Sequence, residues 1–172
     1  MPLWRREGFV EDTWAFLGDE VPVSEEGAIV VSLKRWLRER ETLASRAAPL
    51  GVAVEAGADA QAHLPDLADR PLIALAFDKF ADGRSFSYAR ILRDRLQFGG
   101  ELRAIGDVLI DEIPLMLRCG FDSFDVTNAP TLHALQAGRL PGSALHYQPS
   151  SAQDEAREGT RPWLRVTRPS KD

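Results

Sequence analysis

A chain of 172 residues, 44% hydrophobic and 27% charged, is long enough to bury the core of one ordinary domain. Its net charge of -5 sets it against general nucleic-acid binding, which draws on cationic surface. A single cysteine, Cys119, excludes an internal disulfide, and no apolar run nears the roughly 18–20 residues of a membrane helix. With no secretory pattern in Met1–Glu7, the expected location is the cytoplasm.

Residues 1–24 mix Trp4, Phe9 and Trp14 with acids and prolines without a clear period, which predicts an irregular arm holding at most a short strand at Trp14–Phe16. The β-branched run Gly27–Leu33 predicts a strand buried on both faces, followed by a helix over Lys34–Leu43. Gly51–Glu55 reads as a second strand, and Ala58–Leu64 as a short helix stopped by Pro65. Leu72–Phe77 is the strongest strand. A loop, Asp78–Gly83, leads from it into a helix over Ser85–Gln97 whose Phe86, Ala89, Leu92 and Leu96 share one face, with Gly99–Gly100 as its terminator. Leu102–Ile105 predicts a short strand. Asp107 is placed to cap a helix running to Arg118, with Pro114 kinking it or opening a new turn. Asp122–Val126 is the last core strand, Thr131–Ala137 another helix, and Ala144–Gln148 a short extended piece. From Pro149 the chain is polar and aperiodic, the composition of a disordered tail.

Strands alternating with helices predict a single α/β domain over residues 1–148: a small, mainly parallel sheet of about five strands flanked by helices, or a partial β/α barrel with the same local pattern. In such sheets ligands bind outside the carboxyl ends of the strands. Two loops fall on that edge, Asp78–Arg84 and Ile105–Asp107. Gly83 and Gly106 allow close backbone approach, Arg84 offers a planar fork for an oxyanion, Ser85 and Ser87 add hydroxyls, and Arg103 adds a second guanidinium. Together these residues suggest an anion cradle. The plainer alternative is a turn pair at Asp82–Gly83, a capping Ser85, and Arg84 paired to Asp82 or Asp107. Arg90, Arg93 and Arg95 read as a solvated helix face. Asp107 and Asp111, four apart on one helix face, could supply an acid/base pair or bind a cation, with Asp82 a further candidate for moving protons; the plainer alternative is a cap and a solvent-facing acid.

His63, His133 and His146 lack ligand spacing, so no metal is expected. No G-x-G-x-x-G or P-loop occurs, and Cys119 reads as a buried structural thiol.

Three blocks carry a resemblance: Phe80–Arg93 (FADGRSFSYARILR), Gly100–Leu109 (GELRAIGDVL) and Leu117–Phe124 (LRCGFDSF). In this order and spacing they resemble the domain-of-unknown-function 934 family of bacterial proteins, and Tyr147–Pro149 looks like its closing element. The resemblance implies a role in assimilatory sulfite reduction beside sulfite reductase. It singles out Asp82, Gly83, Arg84, Ser87, Arg90, Arg93, Glu101, Arg103, Gly106, Asp107, Asp111 and Phe121. The family's label as an oxidoreductase finds no matching cofactor motif here, and one cysteine cannot supply a Cys₄ cluster. The leading expectation is therefore an accessory protein that binds an oxyanion, such as sulfite or sulfate, or an acidic partner surface, without a cofactor. The alternatives are an acid/base enzyme acting on a small anionic substrate, and a structural dimerising subunit.

Overall fold

The structure is a computed structural model, and it describes residues 2–57, 59–78, 82–142, 145–146 and 165–166. One mixed sheet organises it. Its strands are β1 (Leu3–Arg5), β2 (Gly8–Val10), β3 (Trp14–Phe16), β4 (Ala28–Ser32), β5 (Leu50–Val54), β6 (Leu72–Phe77), β7 (Glu101–Gly106) and β8 (Ser123–Asp125), in the spatial order β2-β1-β8-β7-β6-β5-β4-β3. Strands β3 to β8 run parallel in that order, while β1 is antiparallel to both β8 and β2.

The five strands expected from the apolar runs are β4 to β8. At the amino end the short strand expected at Trp14–Phe16 is present as β3, and the correction is that the supposed irregular arm before it supplies two further strands, β1 and β2. Backbone pairing explains why composition concealed them. Leu3, Trp4 and Arg5 sit opposite Asp125, Phe124 and Ser123, so alternation is set by a neighbouring strand that a three-residue window cannot reveal.

The sheet is curled into a half-barrel. Flat, eight strands would put β2 and β3 about 33 Å apart. Yet only Glu11, Asp12 and Thr13 join those two edges, a link that reaches at most ~14 Å. A contact across the interior agrees: the Arg103 guanidinium of β7 lies 5.9 Å from the ring of Phe16 on β3, four strands away.

The helices are α1 (Leu33–Arg38), α2 (Arg40–Ala44), α3 (Ala60–His63), α4 (Arg84–Arg90), α5 (Ile113–Arg118) and α6 (Ala129–Gln136). A 3₁₀ turn, Leu64–Leu67, extends α3, and a π turn, Ile91–Arg95, extends α4. Their apolar faces pack on one side of the sheet. Trp36, Leu43, Leu64, Leu67, Tyr88, Leu92, Met116 and Leu135 meet Val31, Val52, Val54, Ile73, Leu75, Leu102 and Phe124 there. Residues at the alternate strand positions, among them Val30, Leu72, Ala74 and Arg103, point into the half-barrel.

Two helix boundaries differ from expectation. Asp107 does not cap a helix: its N–H continues the sheet onto Phe77 O at 2.9 Å, and α5 begins only at Ile113, with Pro114 in its first turn where a missing N–H costs nothing. The helix after β6 closes at Gln97, which adopts φ 52°, rather than at Gly99–Gly100. Its side-chain amide donates to Arg93 O and Asp94 O, so the π turn's carbonyls are satisfied locally. Much of the C-terminal tail lies outside the described residues. Within it, β10 (Arg165–Val166) pairs antiparallel with β9 (Leu145–His146), which falls in the extended piece expected at 144–148.

Candidate functional site

The parallel strands β6, β7 and β8 end side by side at Phe77, Gly106 and Asp125. That edge carries most of the residues singled out in the sequence, but it uses them in different ways. Lys79–Ala81, within the first loop, lie outside the described residues.

Arg84 is exposed and forms a fork with Asp82: Nε donates to Oδ1 at 2.8 Å and Nη2 to Oδ2 at 2.6 Å. The backbone N–H of Arg84 also donates to Asp82 Oδ1, so one carboxylate orients both the main chain and the guanidinium. Gly83 adopts an ordinary φ of -78°, and a Cβ there would meet nothing within 4 Å. Its glycine is not demanded by the backbone. Gly106 is the opposite case. At φ +92° its added Cβ would stand 2.8 Å from Phe77 O, so packing of the β6 and β7 ends requires glycine.

Ser85 corrects the reading of it as a cap or an exposed hydroxyl. It is fully buried and donates to Ala76 O at 2.6 Å, tying α4 to β6. Ser87 and Arg90 are exposed on the outer face of α4. Asp107 and Asp111 are also exposed; Asp107 accepts from Asn128, the residue that caps α6.

Arg93 is not part of a solvated face. Its guanidinium donates to the carbonyls of Gly120 (2.9 Å), Phe98 (2.5 Å) and Gly100 (3.0 Å), and to Asp122 Oδ2 (2.5 Å). Cys119 is buried, and burial raises its thiol above the ordinary range, which keeps it protonated and unreactive. That agrees with a structural role.

The largest departure concerns Arg103, expected beside the loops as an anion donor. It points inward instead and is wholly buried in the half-barrel. Nη1 donates to Asp12 Oδ2 at 2.8 Å, and Nε and Nη2 donate to Glu101 Oε1 at 3.1 and 2.9 Å. Glu101 also accepts from Ser123 Oγ at 2.6 Å and from Arg5 Nη2 at 2.7 Å. Five residues from four separate segments thus form one internal polar cluster. Asp125 stands beside it on the same inner face and is 7% exposed. Its Oδ1 is buried without a hydrogen-bond partner. Burial pushes this carboxyl above the usual carboxylate range, against the pull of the chain's amino end and of Arg103.

Sequence reading missed Asp12, Ser123 and Asp125 as site residues, and found Glu101 and Arg103 only through the motif. A signal existed. Glu101-Leu-Arg103 and Ser123-Phe-Asp125 place charge and polarity at every second position of strands whose other residues are apolar, the pattern of a polar inner face.

The raised Asp125 carboxyl has a consequence for stability. The folded state holds that proton to higher pH than the unfolded chain, whose aspartates titrate near about 3.9. The stabilising contribution is therefore complete below that value and is lost as pH rises through the folded-state value. Asp125→Asn should consequently match wild type near pH 4 and exceed it increasingly toward pH 8. Urea unfolding of both proteins at several pH values measures the difference, and parallel curves would contradict it.

A one-sided α/β half-barrel with an internal ion cluster and a motif edge at its strand ends is the class of protein these features define. The chain belongs to the bacterial family of proteins of unknown function DUF934, whose match spans residues 51–157. That range takes in β5 to β8 and the motif edge. No curated protein and no solved structure matches it. No helix among the described residues is long and apolar enough to cross a membrane.

Proposed function

We propose that this protein is an accessory binding module of assimilatory sulfite reduction, acting beside sulfite reductase by holding a small oxyanion or an acidic stretch of the partner. The sulfur context rests on what the resemblance of the motif blocks implies. The binding half rests on one observation: the outer face of α4 and its π turn. Arg84, Ser87, Arg90 and Arg95 are exposed there, three guanidiniums with Asp94 between them, on a chain of net charge -5. Asp82 holds the Arg84 fork in a fixed orientation, which lowers the entropy lost when further N–H groups of that fork take up a ligand.

The acid/base alternative draws less support from the geometry. Asp107 and Asp111 are exposed, and Asp82 is engaged by Arg84.

The test is a thermal-shift titration with sulfite, sulfate and phosphate, run on wild type and Arg84→Ala, together with co-sedimentation with sulfite reductase at low and high salt. Arg84→Ala should leave the melting temperature of the free protein unchanged, because Arg84 is exposed and its ion pair is made with Asp82, a neighbour two residues away. It should abolish an oxyanion shift or weaken a salt-sensitive association. Absence of both effects in wild type removes the proposal.

A further inference from the structure

We infer that the outer face of α4 takes an extended acidic segment of a partner protein, carrying an apolar side chain that seats at Leu115 of α5, in preference to a free oxyanion. This rests on the binding face proposed above and names its ligand. The first observation is the direction of the guanidiniums. Asp82, two residues before Arg84, holds that fork toward the amino end of α4 at 2.8 and 2.6 Å. Asp94, four residues after Arg90, draws Arg90 the other way, with Nε 3.5 Å from Oδ2. The two side chains leave the helix ~9 Å apart along its axis and diverge from there. Arg95, also exposed, stands roughly 7 Å further on. A single tetrahedral anion meets one of these cations at a time. Alternate side chains of an extended segment recur every ~6.7 Å and meet them in turn.

The second observation is charge complementarity. Three exposed guanidiniums stand against two aspartates on this face. Asp82 takes Nε and Nη2 of Arg84, and Asp94 takes Nε of Arg90, so each fork keeps further N–H groups for an incoming carboxylate. Both pairs are surface pairs, weak enough to exchange with carboxylates from outside.

The third observation is the apolar side chain at the border of this face. Leu115 of α5 is 45% exposed. Cys119 N donates to Leu115 O at 2.9 Å, which puts the two residues one turn apart on the same side of α5. The Cys119 thiol feels the charges of Arg90 and Asp94, and Gly120 O, the next along the chain, accepts from Arg93 of the π turn. That side of α5 therefore borders the α4 face, and Leu115 stands beside the arginine row. A lone exposed leucine is ordinary. One set against guanidiniums suits a polypeptide that mixes carboxylates with an apolar side chain, and not a uniform polyanion such as a nucleic acid, which a chain of net charge -5 repels as a whole.

The experiment uses the full chain and a fluorescein-labelled nonapeptide of glutamates with a leucine at its centre, followed by fluorescence anisotropy. Controls are the same peptide with glutamine for every glutamate, one with serine for the leucine, and a single-stranded oligouridylate of matched charge. The acidic peptide should bind, and raising salt from about 50 to about 500 mM should weaken it about tenfold. Arg90→Gln with Arg95→Gln should weaken it about fivefold. Lys34→Gln with Arg40→Gln, the same loss of charge on α1 and α2, should not. Leu115→Ser should weaken the leucine peptide about threefold and leave the serine peptide unchanged. All five side chains are exposed, so the variants keep the fold. Equal binding of the glutamine peptide or the oligouridylate, or undiminished affinity in the Arg90→Gln, Arg95→Gln pair, would overturn the inference. A melting shift with sulfite or sulfate but no peptide binding would also overturn it, while leaving the oxyanion reading of the face in place. Absence of both removes both.

Discussion

Replacing Arg103 with alanine should destabilise the fold by about 3–5 kcal/mol, the range for removing one partner of a buried ion pair. In a chain of this size that is a fall of roughly 10–15 °C in melting temperature. The reason lies in what remains. Asp12 loses its guanidinium, and Glu101 keeps only Arg5 and Ser123, inside a half-barrel where neither acid can recover full hydration. Phe16 loses the cation over its ring, so the seam between β3 and the far side of the sheet loosens as well. Arg103→Lys should recover little, because one ammonium cannot reproduce three N–H bonds directed at two carboxylates. Neutralising the cluster together, as Arg103→Met with Asp12→Asn and Glu101→Gln, should recover much of the loss. Denaturant unfolding of the single and triple variants measures this. A melting temperature within about 3 °C of wild type for Arg103→Ala would show that the cluster is hydrated and not structural.

Arg93→Lys should be nearly as damaging, at about 2–4 kcal/mol. Arg93 gathers Phe98 O, Gly100 O, Gly120 O and the Asp122 carboxylate, while Asp122 Oδ2 also accepts from Leu102 N at 2.7 Å. One planar fork therefore ties the end of the π turn, the start of β7 and the turn before β8. An ammonium can replace at most part of that set, and the carbonyls left behind are poorly placed for water. Gly120 adds a steric constraint, since any Cβ there would stand 2.6 Å from Arg93 Cγ. Amide exchange at Leu102 and in the Gly99–Gly100 segment should accelerate in the variant before the core of β6 does. Exchange unchanged in those segments would show that Arg93 merely decorates the surface.

These two arginines mark the division between what was legible and what was not. Leu72–Phe77 reads as a strand from composition alone because all six side chains are buried, and buried parallel strands are uniformly apolar. Asn128 and Ser32 cap their helices through local bonds that a short window contains. Arg93 and Arg103 could not be sorted in that way. Both stand in arginine-rich segments, and their partners lie between two and ninety-one positions away. Ser85 is similar: nine residues separate it from the carbonyl it binds. The motif edge was placed at the junction of the β6 and β7 ends, yet of its singled-out residues Gly83, Arg84, Ser87, Arg90, Asp107 and Asp111 face solvent while Ser85 and Arg103 are buried.

The sequence by itself determined the α/β class, the five central parallel strands, the length of each β-to-β step, and the place of the motif at the strand ends. Those follow from local periodicity and from the apolar character that full burial imposes. Only the tertiary structure decided that the sheet curls, that residues 3–10 supply two more strands, and that Asp12, Glu101, Arg103, Ser123 and Asp125 share one interior. Curvature is a property of the whole sheet, set by strand twist and by the three-residue link between its two edges. No window shorter than the sheet itself contains that information.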